Sequence, residues 1–171
     1  MEHIHQNIGE RRRPKIYMET TMFNYYFDED RGNAHKYTVR LFEMIKEGKF
    51  EAYASAYVTD ELEKANEEKS SKMMRLIEEY KIRVLDGNDD VRKMGNIYVE
   101  KNIIPKGYIA DAMHIAVATV YGMDMIVSMN FEHIVKPKTI RMTGVINIEN
   151  GYNIVNIRSP EEVVKNVGKN N

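Results

Sequence analysis

A chain of 171 residues with 25 basic residues, 26 acidic residues, a formal net charge of −1 and no cysteine has the length of one domain. The missing thiols exclude disulfides, thiolate zinc centres, iron–sulfur clusters and cysteine nucleophiles. The balanced charge excludes a whole-molecule field that gathers polyanions, so a bound nucleic acid would need a local patch or a metal.

The polar residues 1–14, ending in Arg11-Arg12-Arg13-Pro14, read as a flexible leader. Residues 15–167 read as a single domain and 168–171 as a tail. No hydrophobic signal core follows Met1 and no apolar run nears the ~18 residues of a membrane span, which predicts a cytoplasmic protein without a membrane partner. Lys15-Ile16-Tyr17-Met18 is a short strand that ends at Glu19-Thr20-Thr21. Phe27 to Asn33 is a loop by its Asp, Gly and Asn content. From Ala34 to Glu47 the apolar residues Tyr37, Leu41, Phe42, Met44 and Ile45 follow a helical period, with Gly48 as C-cap.

Phe50 to Ala54 is a second strand. Helices are predicted from Tyr57 to Ala65 and, after a polar break, from Ser71 to Tyr80. Ile82-Arg83-Val84-Leu85 is a third strand, and Asp89 to Lys101 is helical. The strongest helical pattern runs from Gly107 to Tyr121, with a stripe of Ile109, Ala112, Met113, Ala116, Val117 and Val120. A fourth strand covers Asp124 to Ser128, a helix Lys138 to Glu149, and a last strand Ile154 to Ile157. Ser159-Pro160-Glu161-Glu162 is a capping box with proline at the first helical position. Alternating strands and helices imply a mostly parallel sheet covered on both faces, whose ligands sit outside the carboxyl ends of the strands.

The glycines form no phosphate loop, and neither a GxSxG elbow nor an HExxH helix is present. His3 and His5 make a weak HxH metal signal within the leader. What remains is oxygen donors at strand ends: Glu19 after the first strand, Glu61 in the helix after the second, Asp111 early in the long helix, and Asn130 after the fourth strand. Clustered carboxylates repel unless a cation neutralises them, and a set without thiolate suits Mg²⁺ or Mn²⁺. Such an ion polarises a phosphoryl oxygen and activates water. The bland alternative stays open: Asp111 suits a helix N-terminus by its dipole alone, and Glu61 lies in a charged run normal for a solvated face.

Tyr17-Met18-Glu19-Thr20-Thr21, Val58-Thr59-Asp60-Glu61-Leu62, Ala110-Asp111-Ala112-Met113-His114-Ile115-Ala116 and Ile126-Val127-Ser128-Met129-Asn130-Phe131-Glu132-His133-Ile134 follow in that order. Together they resemble the PIN-domain family of metal-dependent ribonucleases, which includes the VapC-type toxins of toxin–antitoxin modules. More narrowly they are similar to a branch reading "YIETS", "DALHIA" and "TWNFKHI", over roughly residues 15–165. The resemblance implies a three-layer α/β/α fold with a central, mostly parallel sheet of four or five strands. It implies Glu19, Glu61 and Asp111 as ligands of Mg²⁺ or Mn²⁺, and Asn130 as a fourth catalytic position where many relatives carry aspartate. Thr21 matches a hydroxyl that bonds to the site. The implied reaction is hydrolysis of an RNA phosphodiester by a metal-activated water, and the implied partners are RNA, a cognate antitoxin and a second copy of the chain.

Two departures bear on this. Glu19 is one methylene longer than the commoner aspartate, and Asn130 offers only an amide oxygen. A catalytically weak RNA- or protein-binding module of the same fold is the alternative, with phosphatase or other nuclease chemistry a third reading. His114, at i+3 from Asp111, either bonds a ligand carboxylate or is a packed helical histidine. His133 either contacts phosphate or makes a structural bond. Tyr25, Tyr26 and Phe27 either stack on unpaired bases or pack over the sheet. Lys136, Lys138 and Arg141 are candidate grips for RNA.

Overall fold

The computed structural model describes residues 11–167. The His3–His5 pair, the first ten residues of the expected leader and the tail lie outside them. Five strands form one sheet: β1 (Lys15–Met18), β2 (Glu51–Ser55), β3 (Arg83–Leu85), β4 (Met125–Val127) and β5 (Asn156–Arg158). Their order is β3-β2-β1-β4-β5, and every pairing is parallel. Parallel neighbours need crossovers. Among the described residues these are α1 (Thr20–Phe27), α2 (Asn33–Lys46), α3 (Ala56–Glu63), α4 (Glu67–Glu79), α5 (Asp89–Glu100), α6 (Ile109–Val120) and α7 (Pro137–Glu149), with α8 (Pro160–Val167) closing the chain.

Central strands covered on both faces must be apolar along their whole length. Ile16, Tyr17 and Met18 of β1 are all fully buried, as are Ile126 and Val127 of β4. The edge strand β3 has only three residues and leaves Val84 exposed, a short edge that limits pairing with other chains. Gly48 closes α2 at φ +80°, donating its N–H to Ile45 O over 3.0 Å. The capping box forms: Ser159 Oγ accepts from Glu162 N–H, and Glu162 Oε1 accepts from Ser159 N–H.

The structure differs from the sequence reading in three places. A helix, α1, fills the segment after Glu19, to which the sequence pattern assigns no element. Its TTMFNYYF stretch is rich in β-branched and aromatic residues, poor helix formers with no clear stripe. The Glu19 carboxylate caps it through Thr21 N–H, and buried Met22 and Phe23 anchor it to the core. Second, α6 is buried all round from Ala112 to Thr119 rather than along one stripe. Its alanines permit close approach, and α5 meets it at Gly95, where an added Cβ would stand 2.6 Å from Met113 Sδ. Third, residues 11–14 are tied to the sheet: Arg12 pairs with Asp124 at 3.0 Å, and Pro14 O accepts from Glu51 N–H.

The order places the topological switch between β1 and β4, the central strands whose chain connections leave in opposite directions. The crevice outside the carboxyl ends of these two strands is where a doubly covered parallel sheet opens to a ligand.

Candidate active site

Glu19 is the first residue beyond β1 and sits at this switch point. Its N–H donates to Val127 O of β4 over 3.1 Å, and the residue is only 3% exposed. One oxygen, Oε2, accepts from Thr21 N–H (3.1 Å), from Thr21 Oγ1 (2.5 Å) and from Ser128 Oγ (2.7 Å). The same hydroxyls reach the next strand end: Thr21 Oγ1 accepts from Met129 N–H and Ser128 Oγ from Asn130 N–H. The carboxylate is thus held in a cradle that staples the end of β1 to the end of β4. Burial pushes the Glu19 carboxyl up from its ordinary range, and the pull of His114 and of the cradle donors offsets this only in part.

His114 of α6 is fully buried. Its Nε2 lies 2.6 Å from Glu61 Oε1 of α3, and its Nδ1 lies 2.7 Å from the Tyr17 hydroxyl, which is 2.7 Å from Ser55 Oγ. Ser55, Tyr17, His114 and Glu61 form one hydrogen-bonded chain running from the end of β2 through β1 and α6 to α3. Burial opposes a charge on His114, but the Glu61 bond and the charges of Glu19, Glu61 and Asp111 overcome it and raise the imidazole pKa. For Glu61, burial also disfavours ionisation, yet the bond from His114 and its charge hold the carboxyl below its ordinary value. The proton of this pair therefore rests on the histidine. Burial drives the Tyr17 hydroxyl far above its ordinary pKa, so it stays a neutral link.

Asp111, in the first turn of α6, points to a second histidine: His133 Nδ1 is 2.8 Å from Asp111 Oδ2. Asn130 Oδ1 accepts from His133 N–H at 3.0 Å, so the amide oxygen builds the turn that presents this ring. Tyr108 lies against it, ring centroids 3.9 Å apart.

The predicted acids meet different groups: Glu61 bonds His114, Asp111 bonds His133 and Glu19 sits in the hydroxyl cradle. The acids come from the ends of β1, α3 and α6, and all three charges act on His114. Among the described residues, no three acidic or histidine side chains stand ready-made around a common point at ligand distance. The donor chemistry fits a hard divalent ion, with three carboxylates, an amide oxygen and no thiolate. Thr21 and His114 both bond to the acids, though His114 joins Glu61 and not Asp111. Tyr26 packs against Phe42 and Tyr80 and bonds the Tyr80 hydroxyl, a structural use. Lys138 donates to Asn102 O and so ties α7 to the turn after α5. Sequence reasoning missed Tyr17, Ser55 and Ser128. The two serines end β2 and follow β4, so the strand-end criterion that picked out the acids would have found them. Tyr17 is hidden in an apolar run, signalled only by the need of a buried phenol for a partner.

No protein-family model and no curated protein matches the sequence. The fold is similar to a chain in the crystal structure of VapBC2 from Rickettsia felis bound to a DNA fragment from their promoter, with a TM-score of 0.54, 12% identity, and coverage of 85% of this chain and 98% of that one. It is equally similar to Mycobacterium tuberculosis VapC20, described as a sarcin-ricin loop cleaving toxin, with a TM-score of 0.54, 13% identity, and coverage of 82% and 98%. The architecture, an all-parallel five-stranded sheet flanked by helices, is PIN-like.

Proposed function

We propose that this protein is a Mg²⁺- or Mn²⁺-dependent endoribonuclease of PIN type, acting in the cytoplasm. One observation carries the reading: three acids far apart in sequence lie at one sheet edge, Glu61 bonded to His114, Asp111 to His133 and Glu19 held by Thr21 and Ser128, and among the described residues no lysine or arginine forms an ion pair with them. Glu19, Glu61 and Asp111 would hold the ion, with Asn130 beside them. The ion would supply charge stabilisation at a phosphoryl oxygen and make water a competent nucleophile near neutral pH.

The chain's own groups do the positioning. Thr21 and Ser128 fix the Glu19 carboxylate through one oxygen. His133 orients Asp111, and is itself aligned by Asn130 and backed by Tyr108. His114 Nε2 holds a proton toward Glu61, while Tyr17 and Ser55 fix the ring from behind. Carboxylates that ligate a metal are themselves held by hydrogen bonds from outer groups, and these histidines are placed to supply them. The likeness to chains of VapC and VapBC structures supports an antitoxin partner and a toxin role.

The test is cleavage of a labelled single-stranded RNA with Mn²⁺, with and without a chelator. Wild type should cut only with the metal, and Asp111→Ala should lose activity by at least about 100-fold. An Asp111→Ala protein that cuts as well as wild type contradicts the assignment. The amide at Asn130 favours a second reading, a PIN-fold binding module. Chelator-insensitive RNA retention, without cleavage by wild type in Mn²⁺, would establish it instead.

A further inference from the structure

We propose that the amino end of the sheet carries a second site, which binds a small organic phosphate. The proposal is independent of the nuclease reading. A cavity of about 450 Å³ lies there, a size that suits a small molecule. Its lining comes from the start of β2, the end of α2, and the end of α4 with the turn that follows it. Ile45, Phe50, Ala52 and Tyr80 contribute buried apolar surface, whereas Arg13, Lys46, Lys81 and Arg83 are exposed. An apolar interior under a cationic mouth fits a ligand with an apolar body and an anionic head.

The charges at the mouth select the head. Glu51 is already matched, pairing with Arg83 at 3.2 Å and accepting from the Tyr53 hydroxyl. Arg13, Lys46 and Lys81 form no ion pair among the described residues, and Glu79 is the one acid of the lining left to face them. Three cations against one acid leave a surplus of two positive charges, which matches a phosphate monoester of about −1.5 to −2 at neutral pH. The backbone sets two of the cations in place. Pro14 O accepts from Glu51 N–H at 2.9 Å, which holds Arg13 beside β2. Lys81 has φ +52° in the turn that ends α4, where its N–H donates to Glu78 O over 3.2 Å and Ile82 N–H to Ile77 O over 2.9 Å. Glycine is the usual residue at this left-handed position, because a Cβ there is strained. Lysine weakens the turn and places an ammonium at the mouth. Lys46, in the last turn of α2, also suits the helix dipole, but that accounts for one cation of the three. An RNA strand binds along a basic groove, whereas cations that converge on one cavity fit a single phosphate on a compact body.

Isothermal titration calorimetry of the full chain in EDTA tests this, because the chelator keeps divalent ions, and with them the proposed nuclease centre, out of the measurement. Adenosine monophosphate (AMP) should bind at one site per chain, and adenosine should not bind. Inorganic phosphate should bind at least about tenfold more weakly than AMP, since it leaves the apolar interior unfilled. Ribose 5-phosphate distinguishes the source: binding as tight as that of AMP makes the ligand a sugar phosphate, and weaker binding makes it a nucleotide. Lys46→Ala and Lys81→Gly should each weaken AMP binding at least about tenfold. Lys81→Gly relieves the strained turn and should melt no lower than wild type, so its loss of binding is not a loss of fold. A wild type that binds neither AMP nor ribose 5-phosphate at millimolar concentration overturns the proposal. Inorganic phosphate as tight as AMP overturns it too, as does AMP binding unchanged in both variants, or a 5′-hydroxyl RNA that binds where AMP does not.

Discussion

The two ends of the sheet handle their acids in opposite ways. At the amino ends, two carboxylates meet guanidiniums: Asp124, before β4, pairs with Arg12, and Glu51, at the start of β2, pairs with Arg83 at 3.2 Å. At the carboxyl ends, Glu19, Glu61 and Asp111 meet hydroxyls, a backbone N–H and histidines, with no arginine or lysine ion pair among the described residues. The amino end also holds a cavity of about 450 Å³ lined by Arg13, Lys46, Glu51, Glu79, Lys81 and Arg83. Shape alone would point to that cavity. Charge balance points the other way, because acids neutralised by arginine have no need of a further cation. The acids at the carboxyl edge have no arginine or lysine ion pair among the described residues. Under the proposed function, one end serves stability and the other takes up a cation.

Substitutions at the two ends should therefore separate activity from stability. The largest effect is expected at Glu19. Its carboxyl is held above its ordinary pKa, chiefly by burial, so ionising it is harder in the folded state than in the unfolded chain. Stability falls as pH rises from the unfolded pKa through the folded one, and the ionised form costs stability at neutral pH. Glu19→Gln, which keeps the acceptor for Thr21 and Ser128, should cut RNA at least about 100-fold more slowly yet melt at a higher temperature at pH 7. Its thermal advantage should vanish in acid. A variant that melts lower at pH 7 would show that Glu19 is an ordinary structural acid.

His133→Ala removes the group that orients Asp111, and about 10–100-fold of metal-dependent activity should go with it. Fold stability measured by urea should change far less than activity. Next comes His114→Ala, which removes the bonds that the imidazole makes to Tyr17 and Glu61 and should cost about 1–3 kcal/mol in urea denaturation at pH 6. His114 has a raised pKa in the fold, so its contribution is full below the unfolded value and fades as pH climbs through the folded one. The gap between wild type and His114→Ala should narrow on the alkaline side, and a gap that widens there would break the assignment of the proton to His114. The smallest effect belongs to the other end. Arg83→Ala removes an exposed pair with Glu51 and should change stability by less than about 1 kcal/mol and activity not at all.

Much of the architecture is legible in the sequence because it is written in local chemistry. The apolar run of β1, the Gly48 cap and the Ser159–Glu162 box each depend on residues a few positions apart. α1 was illegible because its own residues disfavour a helix, and what forms it is a cap and a core contact. The acids of the candidate site stand out at strand ends, but their partners do not. Spacing along α6 suggests that His114 serves Asp111, three residues away, whereas it bonds Glu61, 53 positions distant in sequence. Asp111 takes its histidine from the turn after β4. Which imidazole holds which carboxylate depends on the sheet order, a tertiary fact that no local pattern encodes.

The central claim is that Glu19, Glu61 and Asp111 at the carboxyl edge bind a divalent cation. Manganese titration followed by the electron paramagnetic resonance of the free ion tests it without any assumption about substrate. Wild type should take up Mn²⁺ saturably, Glu19→Gln and Asp111→Ala should each lose most of that uptake, and Arg83→Ala should bind as wild type does. Wild-type protein that leaves the free-ion signal untouched, or uptake that survives in both acid variants, would contradict the account.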